Sequence, residues 1–296
     1  MNELLYEYKN GNYNVKIYED GTKVRENDLD FFDASFPESM DVKITNYCSN
    51  NCPMCHENSS INGKHGNLNH KFLDTLKPGM EIAIGGGNPI EHPNLFNFLH
   101  NLKDNNIIAN ITIRDTDVLK NLDLVQELLH EKLIRALGIS CSDVDVTLKC
   151  MEFLNNSNIV IHLICGIVKI KELKKLANKN LKILLLGYKK NTGRGVEYYS
   201  QNKKLDLSIE LLKGLLPYFI KGFKVVSFDN LAIEQLNITD ILSKEQWNQF
   251  YMGDEGKHSM YIDLVKEEFA MNSTAKTRYS LTDNIEDMFN TIKTIK

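Results

Sequence analysis

Seven short apolar runs recur through the middle of this 296-residue chain, separated by segments whose apolar residues fall three and four apart. The runs are DVKIT (41–45), EIAIG (81–85), IIANITI (107–113), IRALGIS (134–140), IVIHLIC (159–165), LKILLLG (181–187) and FKVVSFD (223–229). Between them lie amphipathic stretches such as HPNLFNFLHNLKDNN, VLKNLDLVQELLHEK and DVTLKCMEFLNNS. Strand then helix, repeated at intervals of roughly 30 residues, marks βαβ units and an α/β fold with a parallel sheet. Several runs are apolar almost throughout, as expected of strands covered on both faces. Six or seven such units suit an open or closed parallel barrel better than a small doubly wound sheet. In a parallel barrel, functional groups sit on the loops that leave the C-terminal strand ends.

The flanks differ from the middle. In residues 1–40, YNVKIYEDGTKVRE alternates apolar and polar residues around Asp20-Gly21, which predicts a type I′ hairpin. After residue 230, SKEQWNQFYMG reads as a helix started by Ser243, HSMYIDLV as a strand and NIEDMFNTIK as a closing helix. The expected organisation is one integrated domain: an opening hairpin element (1–40), a core (41–230) and a small C-terminal extension (231–296). A hydrophobic content of 42% and a charged content of 25% are those of an ordinary globular protein. No stretch is apolar for long enough to span a bilayer. The N-terminal MNELLYEYKNGNYN carries acidic and aromatic residues where a signal peptide needs basic and then apolar ones. A cytoplasmic, reducing setting is therefore expected, and a net charge of -4 argues against a general nucleic-acid binder.

Six cysteines divide into two groups. Cys141, Cys150 and Cys165 are scattered through apolar sequence and read as buried free thiols. Cys48, Cys52 and Cys55 form one C-x3-C-x2-C run directly after the first parallel strand. In a reducing compartment such a cluster points to metal or catalysis rather than to disulfides. A structural zinc site needs four protein ligands and a ferredoxin cubane four cysteines. A cubane held by three would leave one iron open to a substrate or cofactor. After the second strand comes GGGNP, in which Gly85, Gly86 and Gly87 can take φ > 0 and let backbone approach a ligand closely; a plain turn is the other reading. Both features fall on one rim of the expected sheet.

With the glycine run behind it, the three-cysteine loop resembles the radical S-adenosylmethionine superfamily over roughly residues 41–230. The resemblance implies a partial parallel (β/α)6 barrel of TIM-like form. It also implies that Cys48, Cys52 and Cys55 hold a [4Fe–4S] cluster whose fourth iron is chelated by the amino and carboxylate groups of S-adenosylmethionine. The reduced cluster then splits the sulfonium, giving a 5′-deoxyadenosyl radical that abstracts hydrogen from a substrate. Gly85, Gly86 and Gly87 are similar to the family segment that receives the methionyl amino group, with Asn88 in place of an acid. Thr112 and Ser140 are similar in position to family residues that contact the cofactor's amino acid or ribose, or else cap local backbone. Gly166 resembles the fifth-strand glycine beside adenine. GYKKNTGRG resembles another adenine-side loop, with Arg194 either an anion partner or part of a solvated turn. Met54 stands where the family has an aromatic, and its thioether can pack on adenine. A flavodoxin or ferredoxin as electron donor is implied as partner.

Other readings remain. Three cysteines with His56, His65 or His70 would complete a zinc site, although His65 and His70 also suit a polar surface loop. Glu57 is a substrate contact or a solvated residue. In the C-terminal stretch, Asp254, Glu255, Lys257 and Arg278 belong either to a substrate-facing cap or to the charged surface. No cysteine follows Cys165, so an auxiliary cluster has no thiolates there. For the substrate, the N-terminal hairpin and the polar C-terminal strand suggest an extended peptide or protein side chain. A nucleotide or small metabolite is the alternative, and a non-catalytic zinc or iron–sulfur module is the competing class.

Overall fold

Ten strands of the computed structural model form one open sheet among the described residues, which are 3–29, 31–156 and 158–294. Residues 1, 2 and 30 of the opening element, Ser157 at the end of the third amphipathic stretch, and residues 295–296 lie outside them. Three short strands come first: β1 (Leu4–Asn10), β2 (Tyr13–Tyr18) and β3 (Lys23–Glu26), an antiparallel sheet of their own. Seven strands then run parallel and side by side in chain order. They are β4 (Ser39–Thr45), β5 (Glu81–Gly86), β6 (Ile108–Arg114), β7 (Ala136–Ser140), β8 (Ile159–Ile164), β9 (Lys182–Leu186) and β10 (Val225–Phe228). On the far side of β4, β11 (Ser259–Asp263) is also parallel, while β12 (Glu268–Ala270) and β13 (Tyr279–Ser280) are antiparallel. All seven central runs are strands within two residues of their expected limits.

Helices connect the parallel strands: α1 (Leu95–Asp104), α2 (Asp115–Lys120), α3 (Leu122–His130), α4 (Val144–Leu154), α5 (Ile170–Leu176), α6 (Gly195–Gln201) and α7 (Leu205–Phe219). Beyond β10 come α8 (Asn230–Leu236), α9 (Lys244–Phe250) and α10 (Ile285–Lys293). The stretch read as one helix around residues 118–132 is two, broken at Asn121. Ser243 caps α9 through the Gln246 N–H, with Gln246 answering on the Ser243 N–H.

The strands are not covered on both faces. Val42, Ile44, Ile82, Ile84, Ile111, Ile113, Leu137 and Ile139 are buried in the core that contains α1, α3 and α10. The alternate residues Asp41 and Ala83 are exposed, and Thr112, Arg114 and His162 are half-buried. One face thus packs on helices and the other forms an open polar face, the alternation that a single covered face produces. Asp41 at the start of β4 and Asp229 just after β10 line the same cavity, so the parallel run curls. Among the described residues no ladder joins β10 to β13, and the sheet does not close.

The opening sheet sits at the N-terminal strand ends, away from the loops that follow the strands. Tyr6 Oη donates to Asn106 Oδ1 at 2.8 Å, Arg135 pairs with Glu19, and Lys23 pairs with Glu81. Glu38, fully buried, accepts from Arg25 Nε at 2.7 Å and from Tyr13 Oη at 2.6 Å. His258 Nδ1 lies 3.1 Å from the same Tyr13 hydroxyl, tying the opening sheet to the C-terminal segment. The Asp20-Gly21 turn departs from type I′: only Gly21 has positive φ (91°), and Tyr18 N–H reaches Thr22 O. A three-residue loop with glycine in its left-handed position results. Among the described residues no helix is long and apolar enough to cross a membrane.

Candidate functional site

The cysteine loop leaves β4 and is held from several sides. Cys48 N–H donates to Ser60 O at 2.9 Å, Asn46 N–H to Lys64 O at 2.7 Å, and Cys55 N–H to Cys52 O at 3.2 Å. Arg194 reaches it from the loop after β9: its backbone N–H donates to Cys55 O, Nε to Cys52 O at 3.0 Å and Nη2 to Ser59 O at 2.8 Å. Arg194 is therefore a strut for the cysteine loop, neither an anion partner nor a solvated side chain. Gly193 makes that approach possible, since a Cβ there would lie 2.5 Å from both Cys55 O and His56 O.

All three loop thiols are free and half-buried. Burial pushes the Cys52 thiol up, the Arg114 guanidinium opposes that, and the neighbouring Cys55 and Cys48 add to it. By contrast Cys150 and Cys165 are buried and pushed up to about 12 by burial, which makes them inert thiols as expected. Half-buried Cys141 goes up to about 11 for the same reason.

The glycine run meets this loop directly. Gly87 N–H donates to Thr45 O at 2.7 Å and Asn88 N–H to Tyr47 O at 2.9 Å. Gly86 has φ of 108°, and a Cβ on Gly87 would sit 2.0 Å from Tyr47 O, so neither place admits a side chain without displacing backbone. Gly85 is different: nothing lies within 4 Å of where its Cβ would be. Asn88 is only 5% exposed; its Nδ2 donates to Asp117 Oδ2 at 3.1 Å, while its Oδ1 is buried without a partner among the described residues.

Thr112 and Ser140 sit on neighbouring strands of the open face, and among the described residues neither hydroxyl hydrogen-bonds to protein. Neither caps local backbone. Gly166, with φ of 79°, packs on Leu205 and Ile209 of α7, which would meet a Cβ at 2.3 and 3.1 Å. Met54 is half-buried against the apolar cluster that includes Ile161, Leu163 and Leu185.

The histidines are engaged elsewhere. His65 Nδ1 lies 2.9 Å from Thr45 Oγ1, and His70 Nδ1 accepts from Phe72 N–H. His56 Nε2 lies 3.1 Å from Lys189 Nζ and 3.3 Å from Glu57 Oε1. Among the described residues no three His, Cys, Asp or Glu side chains gather around a point suited to one metal ion. The three thiolates of a cubane bind different irons, so they need not converge in that way. Glu57 is neither solvated nor free: it pairs with the buried Lys43 at 2.8 Å, and Lys43 also lies 3.3 Å from Asp263. Burial opposes the charges of both. The neighbouring His56 ring and the Lys43 ammonium nonetheless hold the Glu57 carboxyl well below the usual range, and Glu57 and Asp263 raise Lys43.

Several residues at the rim carried no motif. Arg114 Nη1 lies 3.5 Å from Cys52 Sγ and 3.3 Å from Asn50 Oδ1, and Asn50 Nδ2 donates to Asp117 Oδ2. Asp115, fully buried, accepts from Ser142 N–H, Asp143 N–H and Thr147 Oγ1, anchoring the loop after β7. His162 is held down to about 4 by burial. The available signal was position: Arg114, like Ser140, ends a parallel strand.

A cavity of about 600 Å³ opens on the same face, lined by Asp41, Lys189, Asp229, Asp254, Glu255 and Ser273 among others. Lys189 Nζ donates to Ser273 Oγ at 2.8 Å and connects the cavity to His56 beside Cys55. Asp254 and Glu255 thus belong to the cavity wall. Lys257 is exposed, and Arg278 lies over the Tyr261 ring at 5.0 Å. The C-terminal strand β11 is sandwiched between β4 and β12 and offers no free edge to a peptide.

No protein-family profile matches the chain, and no characterised protein matches it by sequence. Solved structures do match in fold. SuiB from Streptococcus suis, bound to S-adenosylmethionine, superposes with a TM-score of 0.57 at 14% identity, covering 83% of this chain and 64% of that one. SuiB bound to its precursor peptide SuiA gives 0.59 at 15% identity, over 89% and 68%. Native anSMEcpe with bound S-adenosylmethionine and the Cp18Cys peptide gives 0.51 at 15% identity, over 86% and 79%. The fold is shared. The chain spans about two thirds of SuiB, and at these identities the likeness is one of architecture.

Proposed function

We propose that this chain is a radical S-adenosylmethionine enzyme acting on a peptide or protein side chain, its open sheet serving as a partial (β/α)6 barrel. The observation that carries the reading is the junction of the three-cysteine loop with the glycine run. There Gly85 faces open space and Asn88 Oδ1 is a buried acceptor without a donor. A buried acceptor left unpaired costs about 1–3 kcal/mol, so its position calls for a donor group, and a methionyl ammonium is one. Thr112 and Ser140 offer free hydroxyls on the same face.

In this reading Cys48, Cys52 and Cys55 hold a [4Fe–4S] cluster, and Gly85, Gly86, Gly87, Asn88, Thr112, Ser140, Gly166 and Met54 receive S-adenosylmethionine. Cluster and cofactor together supply a 5′-deoxyadenosyl radical, given one electron from a flavodoxin- or ferredoxin-like donor. The protein supplies orientation and exclusion of water: the sheet's polar face encloses the reacting centre, and Arg194 fixes the loop. Support for a peptide substrate comes from neighbours of the same fold that hold peptides, and from a cavity within the usual range for ligands. The opening sheet lies at the opposite strand ends, away from this site. The zinc alternative is disfavoured because, among the described residues, no three His, Cys, Asp or Glu side chains gather around one point, as a single tetrahedral ion requires.

Anaerobic reconstitution tests this. The wild type should bind about four irons per chain and release 5′-deoxyadenosine on reduction, and Cys52→Ala should lose both together. Bound zinc with neither, or cleavage retained in Cys52→Ala, overturns the reading.

A further inference from the structure

Arg114 ends β6 at the rim, and its surroundings are unusual for a cation. Its Nε is shut off from water with no acceptor among the described residues. Its Nη1 has only Asn50 Oδ1 and Cys52 Sγ, at 3.3 and 3.5 Å. The nearby carboxylates are committed elsewhere: Asp115 to Thr116, Ser142, Asp143 and Thr147, and Asp117 to Asn50 and Asn88. A half-buried guanidinium with one N–H shut off from water and no carboxylate paired to it is costly, and a protein keeps one where an anion belongs. Here the anion's place is at the Cys52 sulfur.

We propose that Arg114 is a positioning residue whose counter-charge is the thiolate-bound cluster, and that its hydrogen bond to Cys52 Sγ raises the cluster's reduction potential. The inference rests on the radical reading above. Taking up one electron makes a cluster more negative, and a cation donating to a ligand sulfur favours that state. The same network orients the donor. Asp117 Oδ2 accepts from both Asn50 and Asn88, so one buried carboxylate sets Asn50, which holds Arg114, and Asn88 on the glycine rim.

The test compares wild type, Arg114→Gln and Arg114→Lys after anaerobic reconstitution, measuring iron per chain and then midpoint potential. Potentials come from EPR-monitored titration with dithionite, which supplies one electron per cluster. All three should hold about four irons. At the wild-type midpoint, the reduced-to-oxidised ratio in Arg114→Gln should fall about tenfold, equivalent to about 59 mV for one electron. Arg114→Lys, with its charge kept, should recover part of that. A role in loop structure alone would change iron content and leave the potential of loaded protein unmoved. Full iron with an unchanged potential in Arg114→Gln overturns the inference and leaves the radical reading standing. No cluster in the wild type overturns both. Should Arg114→Gln not load, Arg114→Lys decides: a potential below wild type supports the hydrogen bond, and an equal one overturns it.

Discussion

At the rim, the space a ligand would enter is made by leaving side chains out. Gly85 opens onto nothing within 4 Å, and Gly86 and Gly87 let backbone strands touch. Across the same face, the cavity behind the C-terminal segment is filled with charge instead, its lining including Asp41, Asp229, Asp254 and Glu255 with Lys189 the cation among them. The first region is shaped by backbone geometry and fails through steric clash. The second is shaped by electrostatics and responds to protons. A cofactor of fixed form suits the first, whereas the second can adapt to what occupies it.

The largest effects should therefore come from single methyl groups at the rim. Gly87→Ala would drive a Cβ to 2.0 Å from Tyr47 O, a backbone atom that cannot give way cheaply. A loss of about 3 kcal/mol in thermal or denaturant unfolding is expected, with the glycine run and cysteine loop forced apart. Gly85→Ala is the informative partner. Its Cβ enters open space, so stability should stay within about 0.5 kcal/mol. S-adenosylmethionine binding, measured anaerobically by calorimetry, should nevertheless weaken tenfold or more, about 1.4 kcal/mol. Unchanged affinity in Gly85→Ala would mean that the open space at Gly85 is not where the cofactor lies.

Motif and period carried the sequence reading as far as the strands, the three-cysteine loop and the glycine run, because these depend on local spacing. The seven parallel strands followed from alternation with helices. What was not legible depended on contacts between distant segments. Arg194 looked like a turn residue because its partners, Cys52 O and Ser59 O, lie about 140 residues earlier. Glu57 was open between a substrate contact and a solvated residue because Lys43 reaches it from inside a largely apolar strand. Alternation in YNVKIYEDGTKVRE fixed a hairpin but not the end of the sheet on which it docks. Likewise, β11 carries polar and aromatic residues of the kind found on edges, yet pairs on both sides.

The smallest expected effect lies in the cavity, and its sign follows from linkage. The protein crowded around the cavity disfavours the charged form and is the leading cause that raises the carboxyls of Asp41, Asp229 and Glu255, although Asp41 and Glu255 keep surface open to the cavity; Lys189 opposes this in all three, while Asp229 and Glu57 reinforce it for Asp41. A carboxyl raised on folding holds its proton at a pH where the unfolded chain has released it. Stability therefore declines as pH climbs from the ordinary carboxylate range through the raised values, and is flat above them. Asp229 is a poor probe, because its Oδ1 accepts from the Gly187 and Ala232 N–H groups. Asp41 is a cleaner one: its carboxylate has no hydrogen bond or ion pair among the described residues and stands open to the cavity. Asp41→Asn should remove part of the decline. Because cavity water screens the carboxylate, the gain in Tm at neutral pH should be on the order of 1 °C, vanishing below the ordinary carboxylate range. A fall in Tm at neutral pH would show instead that the Asp41 carboxylate is stabilising, and the contrast between a steric rim and a repulsive cavity would not hold.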